Sequence, residues 1–329
     1  MKNIVVIGGG TGSYVTVKGL KQFADQINIS VIVTVADSGG SAKQERDEFG
    51  LLPVSDVRKA LLALAKETDD RRQWVIRELF NYRFDRGFDG VKGGTFGNLF
   101  LVALTEILGS EEAAIEEAEQ ILQTEGKVIP VSLQSSNLVM VYENGQTIVG
   151  EHYLDEFPGD GSQKVINTYL LPKIKASQSA IDAILNADLI IFPPGDLFAS
   201  VIVNLLVDGV SNAIKKSKAS IAYVVNLMTK YGQTYKVTAK GHVRILESYT
   251  KRNLDYILVN DANLPEKIVK AYECEKDFPV KDDLGKNKNI FRGDYLNNEK
   301  IKVQKGDQLK RSLIRHDSRK LAQAIIKLI

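Results

Sequence analysis

Cysteine and histidine are almost missing from this 329-residue sequence, which has one Cys and three His. A lone Cys274 excludes an internal disulfide and any thiolate metal cluster, and a reduced, intracellular setting is the expectation that fits it. It is flanked by Glu273 and Glu275, so it lacks the electropositive surroundings of a nucleophilic thiolate. His152, His242 and His316 are too far apart in sequence to define a metal or triad pattern, and neither a G-x-S-x-G elbow nor an H-E-x-x-H helix is present. No apolar run approaches the ~20 residues of a membrane span. The start of the chain has no basic segment followed by an apolar stretch, so a cytoplasmic protein without membrane contact is expected. An excess of either charge is also missing. Lys+Arg number 43 against 41 Asp+Glu, a net +2, which gives no electrostatic argument for nucleic acid as a partner.

Glycine, by contrast, recurs at the ends of apolar runs. Residues 1–12 form a short apolar strand, Ile4-Val5-Val6-Ile7, running into Gly8-Gly9-Gly10-Thr11-Gly12. Residues without a side chain let the backbone take positive φ and approach a ligand, and successive N–H groups at a helix start attract an anion. Ser13 to Ala24 has helical spacing, and Asn28 to Ala36 reads as a second buried strand, rich in β-branched residues. The resulting βαβ unit implies a parallel sheet. Asp37-Ser38-Gly39-Gly40-Ser41 closes the second strand with another glycine loop. In open parallel sheets ligands sit beyond the carboxyl ends of the strands, so the two loops point at one cleft.

Further along, helices are expected over residues 55–65, with Ser55 as its N-cap, and over 71–82, 98–107, 177–186 and 197–206, with a last one after Asp317. Further strands are expected over 187–192, 220–226 and 255–260. Asn144-Gly145 between two alternating runs is a hairpin signal. The fold class is therefore α/β: a Rossmann-like, mostly parallel sheet with helices on both faces and a small antiparallel insertion at about 127–170. Residues 1–260 form the nucleotide-binding domain. Residues 261–329 form a C-terminal extension whose final helix packs on it, with 276–310 reading as a solvated surface excursion.

The opening loop imitates the dinucleotide fingerprint, but Ser13 stands where its third glycine belongs, and a P-loop fails because no Gly-Lys-Ser/Thr follows. Asp37 stands where a ribose-binding acid would stand, and a short carboxylate directly after a strand also suits Mg²⁺ on a phosphorylated ligand. Asp56 and Asp196 read equally as cleft acids and as helix caps or Asx-turns. Arg46 and Arg58 are placed to fork onto phosphate oxygens or to lie solvated on the surface. Asn98 is placed to touch a base or sugar or to cap its own helix. From the residues alone the reading stops at a phosphorylated-nucleotide binder.

At these residues the chain resembles the 2-phospho-L-lactate transferase / gluconeogenesis-factor superfamily. The motifs are Ile7 to Gly12, Val33 to Ser41 with Arg46, Gly50 to Arg58, Gly97-Asn98-Leu99, Ala187 to Ile190, Pro194-Gly195-Asp196-Leu197-Phe198 and Val225-Asn226-Leu227-Met228-Thr229. They run in order through residues 1 to about 260. The run Ala36 to Ser41 is more similar to the gluconeogenesis-factor branch. The resemblance implies a protein that binds UDP-sugars and supports cell-wall growth on gluconeogenic carbon. The transferase branch implies instead Mg²⁺-dependent transfer of a phospholactyl group from a guanosine diphosphate derivative to a deazaflavin hydroxyl. Gly9, Gly10, Thr11, Gly12, Asp37 and Ser38 are then expected to line the nucleotide-diphosphate cleft, with Gly39, Arg46, Asp56, Arg58, Gly97, Asn98, Gly195, Asn226 and Thr229 around it. Asp37 and Asp196 would hold metal or serve as a base in the transferase reading. The chain departs from the branch pattern at Ser38, at Ser55-Asp56, at Gly93-Gly94-Thr95, at Asp196 and at Tyr235-Lys236-Val237. A nucleotide diphosphate or nucleotide-sugar is the expected ligand, Mg²⁺ the expected cofactor and a homo-oligomer the expected assembly. A nicotinamide oxidoreductase is a third reading, resting on the incomplete fingerprint.

Overall fold

A computed structural model describes residues 1–36, 52–86, 93–150, 157, 159–298 and 312–329. Among these described residues, ten strands lie in two sheets. In chain order they are β1 (Lys2–Ile7), β2 (Ile27–Val33), β3 (Lys127–Pro130), β4 (Asn137–Tyr142), β5 (Thr147–Val149), β6 (Val165–Leu171), β7 (Leu189–Phe192), β8 (Ser220–Val224), β9 (Tyr256–Asn260) and β10 (Ile290–Gly293). Seven form the main sheet in the order β10-β9-β8-β7-β1-β2-β3, and every neighbouring pair is parallel.

The strands of an all-parallel sheet read as unbroken apolar runs because both faces are covered. β1 illustrates this: Ile4 and Val6 point into one core and Val5 and Ile7 into the other. The first core packs under helices α1 (Gly10–Leu20), α2 (Ser55–Leu64), α3 (Arg71–Asn81), α4 (Phe96–Leu108) and α5 (Glu111–Leu122). The second packs under α6 (Gln178–Leu185), a π-helical turn (Leu197–Ile202) that continues into Val203–Leu205, α7 (Val210–Lys216) and α8 (Ala239–Thr250). After α9 (Glu266–Glu273), the last helix, α10 (Ser318–Ile326), returns to the first face and packs on α1. That contact is tight: a Cβ on Gly19 would lie 2.0 Å from the carbonyl oxygen of Ser318.

The small sheet, β5-β4-β6, is antiparallel. Its hairpin turns at Asn144-Gly145, where Gly145 adopts φ +84°, the left-handed conformation that favours glycine. Its inner residues Leu138, Met140, Tyr142, Ile148 and Leu170 join the second core.

Three boundaries differ from the sequence expectation. Residues 127–130 belong to the parallel sheet, pairing with β2 from Ser30↔Lys127 to Val33↔Pro130, so the antiparallel insertion starts later. The polar stretch 276–310 contains β10, which extends the main sheet beside β9. Ser55 is the first residue inside α2 rather than its N-cap, a position taken by Val54. No helix of the described residues is long and apolar enough to cross a membrane.

Candidate functional site

The strand order reverses at β1 and β7. From β1 the chain moves to β2 and β3 on one side, and from β7 to β8, β9 and β10 on the other. In open α/β sheets the crevice at such a reversal is where ligands bind. Two loops meet there: 8–12 after β1 and 193–196 after β7.

Their contact is backbone on backbone. The Gly9 N–H donates to the carbonyl of Ser200 at 3.0 Å. A Cβ on Gly12 would lie 1.6 Å from the carbonyl oxygen of Pro194, and one on Gly8 would meet the Pro193 ring at 2.7 Å. The glycines of the opening loop are thus required first by packing against the β7 loop, and only then by closeness to a ligand.

The loop's amides are partly committed. Gly8 N–H donates to Ile32 O, Gly9 N–H to Ser200 O and Gly10 N–H to Oδ1 of Asp56, all within 3.1 Å. Gly10 sits at φ +70° and opens α1, with Gly9 as N-cap and no side-chain cap. The intrahelical ladder cannot use the amides of the first turn, so Thr11 and Gly12 present the N–H groups that α1 itself leaves over. Thr11 and Gly12, rather than Gly9 and Gly10, are the donors suited to an anion.

Asp56 already stands at that helix start. Its carboxylate accepts from Gly10 N–H and, at 2.8 Å, from Lys59, and it is buried. A Cβ on Gly9 would lie 2.0 Å from Asp56 Oδ2. The acid thus serves α1 as a tertiary cap, supplying negative charge where the dipole is positive.

Arg58 and Asn98 meet each other. Arg58 Nε donates to Asn98 Oδ1 at 2.8 Å and Nη1 to Phe80 O at 3.3 Å, while Asn98 Nδ2 donates to Ser55 Oγ. Both residues are buried, and the network ties α2, α3 and α4 together. Gly97 is needed beneath it, since a Cβ there would meet Phe80 O at 2.6 Å and Arg58 Cδ at 2.7 Å.

On the β7 side, Asn226, just beyond β8, exchanges hydrogen bonds with Gly195: its Nδ2 donates to Gly195 O, and Gly195 N–H donates to its Oδ1. Thr229 is paired to Phe278, with Thr229 N–H donating to Phe278 O at 2.7 Å and Phe278 N–H to Thr229 Oγ1 at 2.9 Å. Asp196 precedes the π-helical turn and its side chain does not cap it. π-Turns gather at functional sites, and this one is braced by Gln233, whose Oε1 accepts from Ala199 N–H. Nε2 of the buried Gln233 and Oδ1 of the buried Asn204 have no hydrogen-bond partner among the described residues.

One acid of this neighbourhood escapes sequence reasoning. Asp277 is 5% exposed, accepts a hydrogen bond from Tyr231 N–H, and feels the charge of Asp196. Burial, reinforced by Asp196 and Glu275 and opposed by the Tyr231 amide and Lys230, pushes its pKa up to about 6. It lies in the polar 276–310 stretch, where nothing in the pattern separates it from solvated acids. The two described histidines, His242 and His316, are buried and lie outside this group.

Asp37, Ser38, Gly39 and Arg46 lie outside the described residues, as does His152. Among the described residues no group of three His, Cys, Asp or Glu is placed to hold a metal ion, and Asp56 is taken up by Gly10 and Lys59. The described side chains do not by themselves supply a magnesium set.

The family model for the 2-phospho-L-lactate transferase CofD matches residues 4–298. A putative gluconeogenesis factor of Thermotoga maritima is 38% identical over 322 residues, 98% of each chain. The gluconeogenesis factor of Bacillus subtilis is 35% identical over 328 residues, 99% of this chain and 98% of the relative. A crystal structure of a Bacillus halodurans protein superimposes with TM-score 0.87 at 34% identity, covering 99% of both chains. With its sheet order, its crevice and these full-length likenesses, the chain belongs to the 2-phospho-L-lactate transferase CofD family, among relatives named gluconeogenesis factors.

Proposed function

We propose that this protein binds a nucleotide diphosphate or nucleotide-sugar in the crevice between the β1 and β7 loops and acts as a gluconeogenesis factor, coupling carbon use to cell-wall growth. The observation that carries the reading is the N-terminus of α1 opening at the point where the strand order reverses. The diphosphate would take the Thr11 and Gly12 amides and the positive end of the α1 dipole. The sugar or base would lie toward Asp196, Asn226 and Thr229, with Asp37 at the ribose or at Mg²⁺. The relatives' names support the regulatory assignment, and the family model supports a nucleotide-derived ligand.

A second reading, transfer of a phospho-acyl group to a hydroxyl acceptor, is favoured by one observation. Asp277, buried beside Asp196, has its pKa pushed up to about 6, in the range suited to a general base near neutral pH. Titration calorimetry with UDP-sugars and GDP, with and without Mg²⁺, tests the first reading, and absence of heat with every nucleotide on folded protein ends it. Incubation with a guanosine diphosphate donor and a deazaflavin acceptor tests the second, which fails if no GMP is released.

A further inference from the structure

The hydroxyl of Ser200 is a group in the crevice that the fold leaves unused. Ser200 lies in the π-helical turn, and its backbone is fixed by three hydrogen bonds. Its N–H donates to Asp196 O at 2.8 Å, and its carbonyl accepts from Gly9 N–H at 3.0 Å and from Asn204 Nδ2 at 2.9 Å. Its Oγ neither donates nor accepts a hydrogen bond among the described residues, although the residue is only 9% exposed. A polar group at that depth is ordinarily paired. The partnerless Gln233 Nε2 and Asn204 Oδ1 are sealed from solvent, whereas Ser200 Oγ is not. The hydroxyl therefore opens on the crevice.

Its position is defined by the two glycine loops. A Cβ on Gly10 would lie 3.5 Å from Ser200 Oγ, and one on Gly195 would lie 3.9 Å from it, so the hydroxyl stands at the seam between the loops, beside the start of α1. There Asp56 has already taken the Gly10 N–H, and α1 offers an anion one donor fewer than a bare helix start would. Ser200 supplies an O–H where that amide is lost. Gly195 keeps the hydroxyl uncovered. Its backbone is outside the left-handed region, and a Cβ there would meet nothing closer than 3.5 Å. Neither conformation nor packing demands glycine at 195, although glycine costs conformational entropy on folding. A longer side chain at this position would lie over Ser200.

We propose that Ser200 is a ligand-binding residue of the phosphate subsite, its Oγ–H donating to a non-bridging oxygen of the diphosphate opposite the Thr11 and Gly12 amides. The inference rests on the nucleotide-diphosphate reading and assigns the group that grips the phosphate from the β7 side. The backbone bonds of Ser200 hold this donor in place before the ligand arrives, so little ordering is required on binding.

Because the Ser200 side chain makes no hydrogen bond within the described protein, Ser200→Ala should leave the thermal midpoint of the ligand-free chain unchanged. Titration calorimetry with UDP, GDP and inorganic pyrophosphate should show its affinity reduced by about tenfold or more, the worth of a hydrogen bond to a charged group. Gly195→Leu, checked for native circular dichroism, should weaken binding at least as much by covering the hydroxyl. Wild-type affinity in Ser200→Ala overturns the proposal, whichever ligand the protein prefers. A Ser200→Ala chain that loses thermal stability along with binding assigns the hydroxyl to the fold and overturns it as well. If the wild type binds pyrophosphate but no nucleotide, the functional reading fails and the pyrophosphate affinities still decide the role of Ser200. If it binds neither, both fail.

Discussion

Replacing Asp277 by Asn isolates the cost of one buried charge. The carboxyl group is 5% exposed, and its pKa rises from 3.8 to about 6 because burial disfavours the ionised form, with Asp196 and Glu275 adding repulsion. A carboxyl whose folded pKa is raised binds its proton more tightly in the native state. Its penalty is therefore absent below about pH 4, grows between pH 4 and 6 and is complete above pH 6. Two units correspond to about 3 kcal/mol. Asn keeps an oxygen for the Tyr231 N–H and removes the charge, so Asp277→Asn should match the wild type at pH 4 and exceed it by about 2–3 kcal/mol at pH 8. Asp277→Ala also strands the Tyr231 amide, which costs about 1–3 kcal/mol, and should gain less. Urea unfolding at a series of pH values measures the differences. A gain independent of pH, or an Asn variant less stable than wild type at pH 8, would refute the reasoning.

His316 should show the opposite slope: burial lowers its pKa from 6.5 to about 4, so the unfolded chain takes up the proton first and stability falls by about 3 kcal/mol as pH drops from 6.5 to 4. His316→Gln should flatten that acid limb in the same titration, and an unchanged limb counts against the assignment. Gly12→Ala drives a methyl group to 1.6 Å from Pro194 O and should lower the thermal midpoint sharply and abolish nucleotide binding, whereas Gly145→Ala, strained at φ +84° but far from the crevice, should cost only about 1 kcal/mol and leave binding intact. Arg58→Ala should cost about 3 kcal/mol by stranding Asn98 and Phe80 O in the interior. A double-mutant cycle with Asn98→Ala should give a coupling energy above about 1 kcal/mol, and additive losses would deny the network.

Much of the fold is legible in the chain because both faces of the main sheet are covered. The central strands β1, β7 and β8 carry continuous apolar runs, Ile4 to Ile7, Leu189 to Phe192 and Ile221 to Val225, which pass into glycine, proline and asparagine respectively. β10 is not legible: as an edge strand of four residues, Ile-Phe-Arg-Gly, with no fully buried side chain, it carries little apolar signal, and β3 is as short. At the site, the loops 8–12 and 193–196 announce themselves by their glycines and prolines. The roles of Asp56 and Arg58 do not, because their partners, Gly10 and Asn98, lie 46 and 40 residues away. A carboxylate that caps a distant helix has the same local spelling as one waiting for a ligand. Asp277 is hidden for the converse reason: its burial comes from the packing of residues 277–280 against 227–231, while the residues just before it, Glu275 and Lys276, are charged.

The central place of β1 sets the order in which the living chain can become functional. Its neighbour β7 begins at residue 189, so at ~5–20 residues per second of synthesis the first strand waits roughly 10–40 s on the ribosome before the second half of its hydrogen bonding exists. The β7-facing edge of Ile4 to Ile7 and the glycine loop after it lack their β7-side partners throughout that interval. No ligand held between the β1 and β7 loops can stabilise the nascent protein until residue 196 of the 329 has been made, which makes early translation the period in which this fold depends most on chaperones.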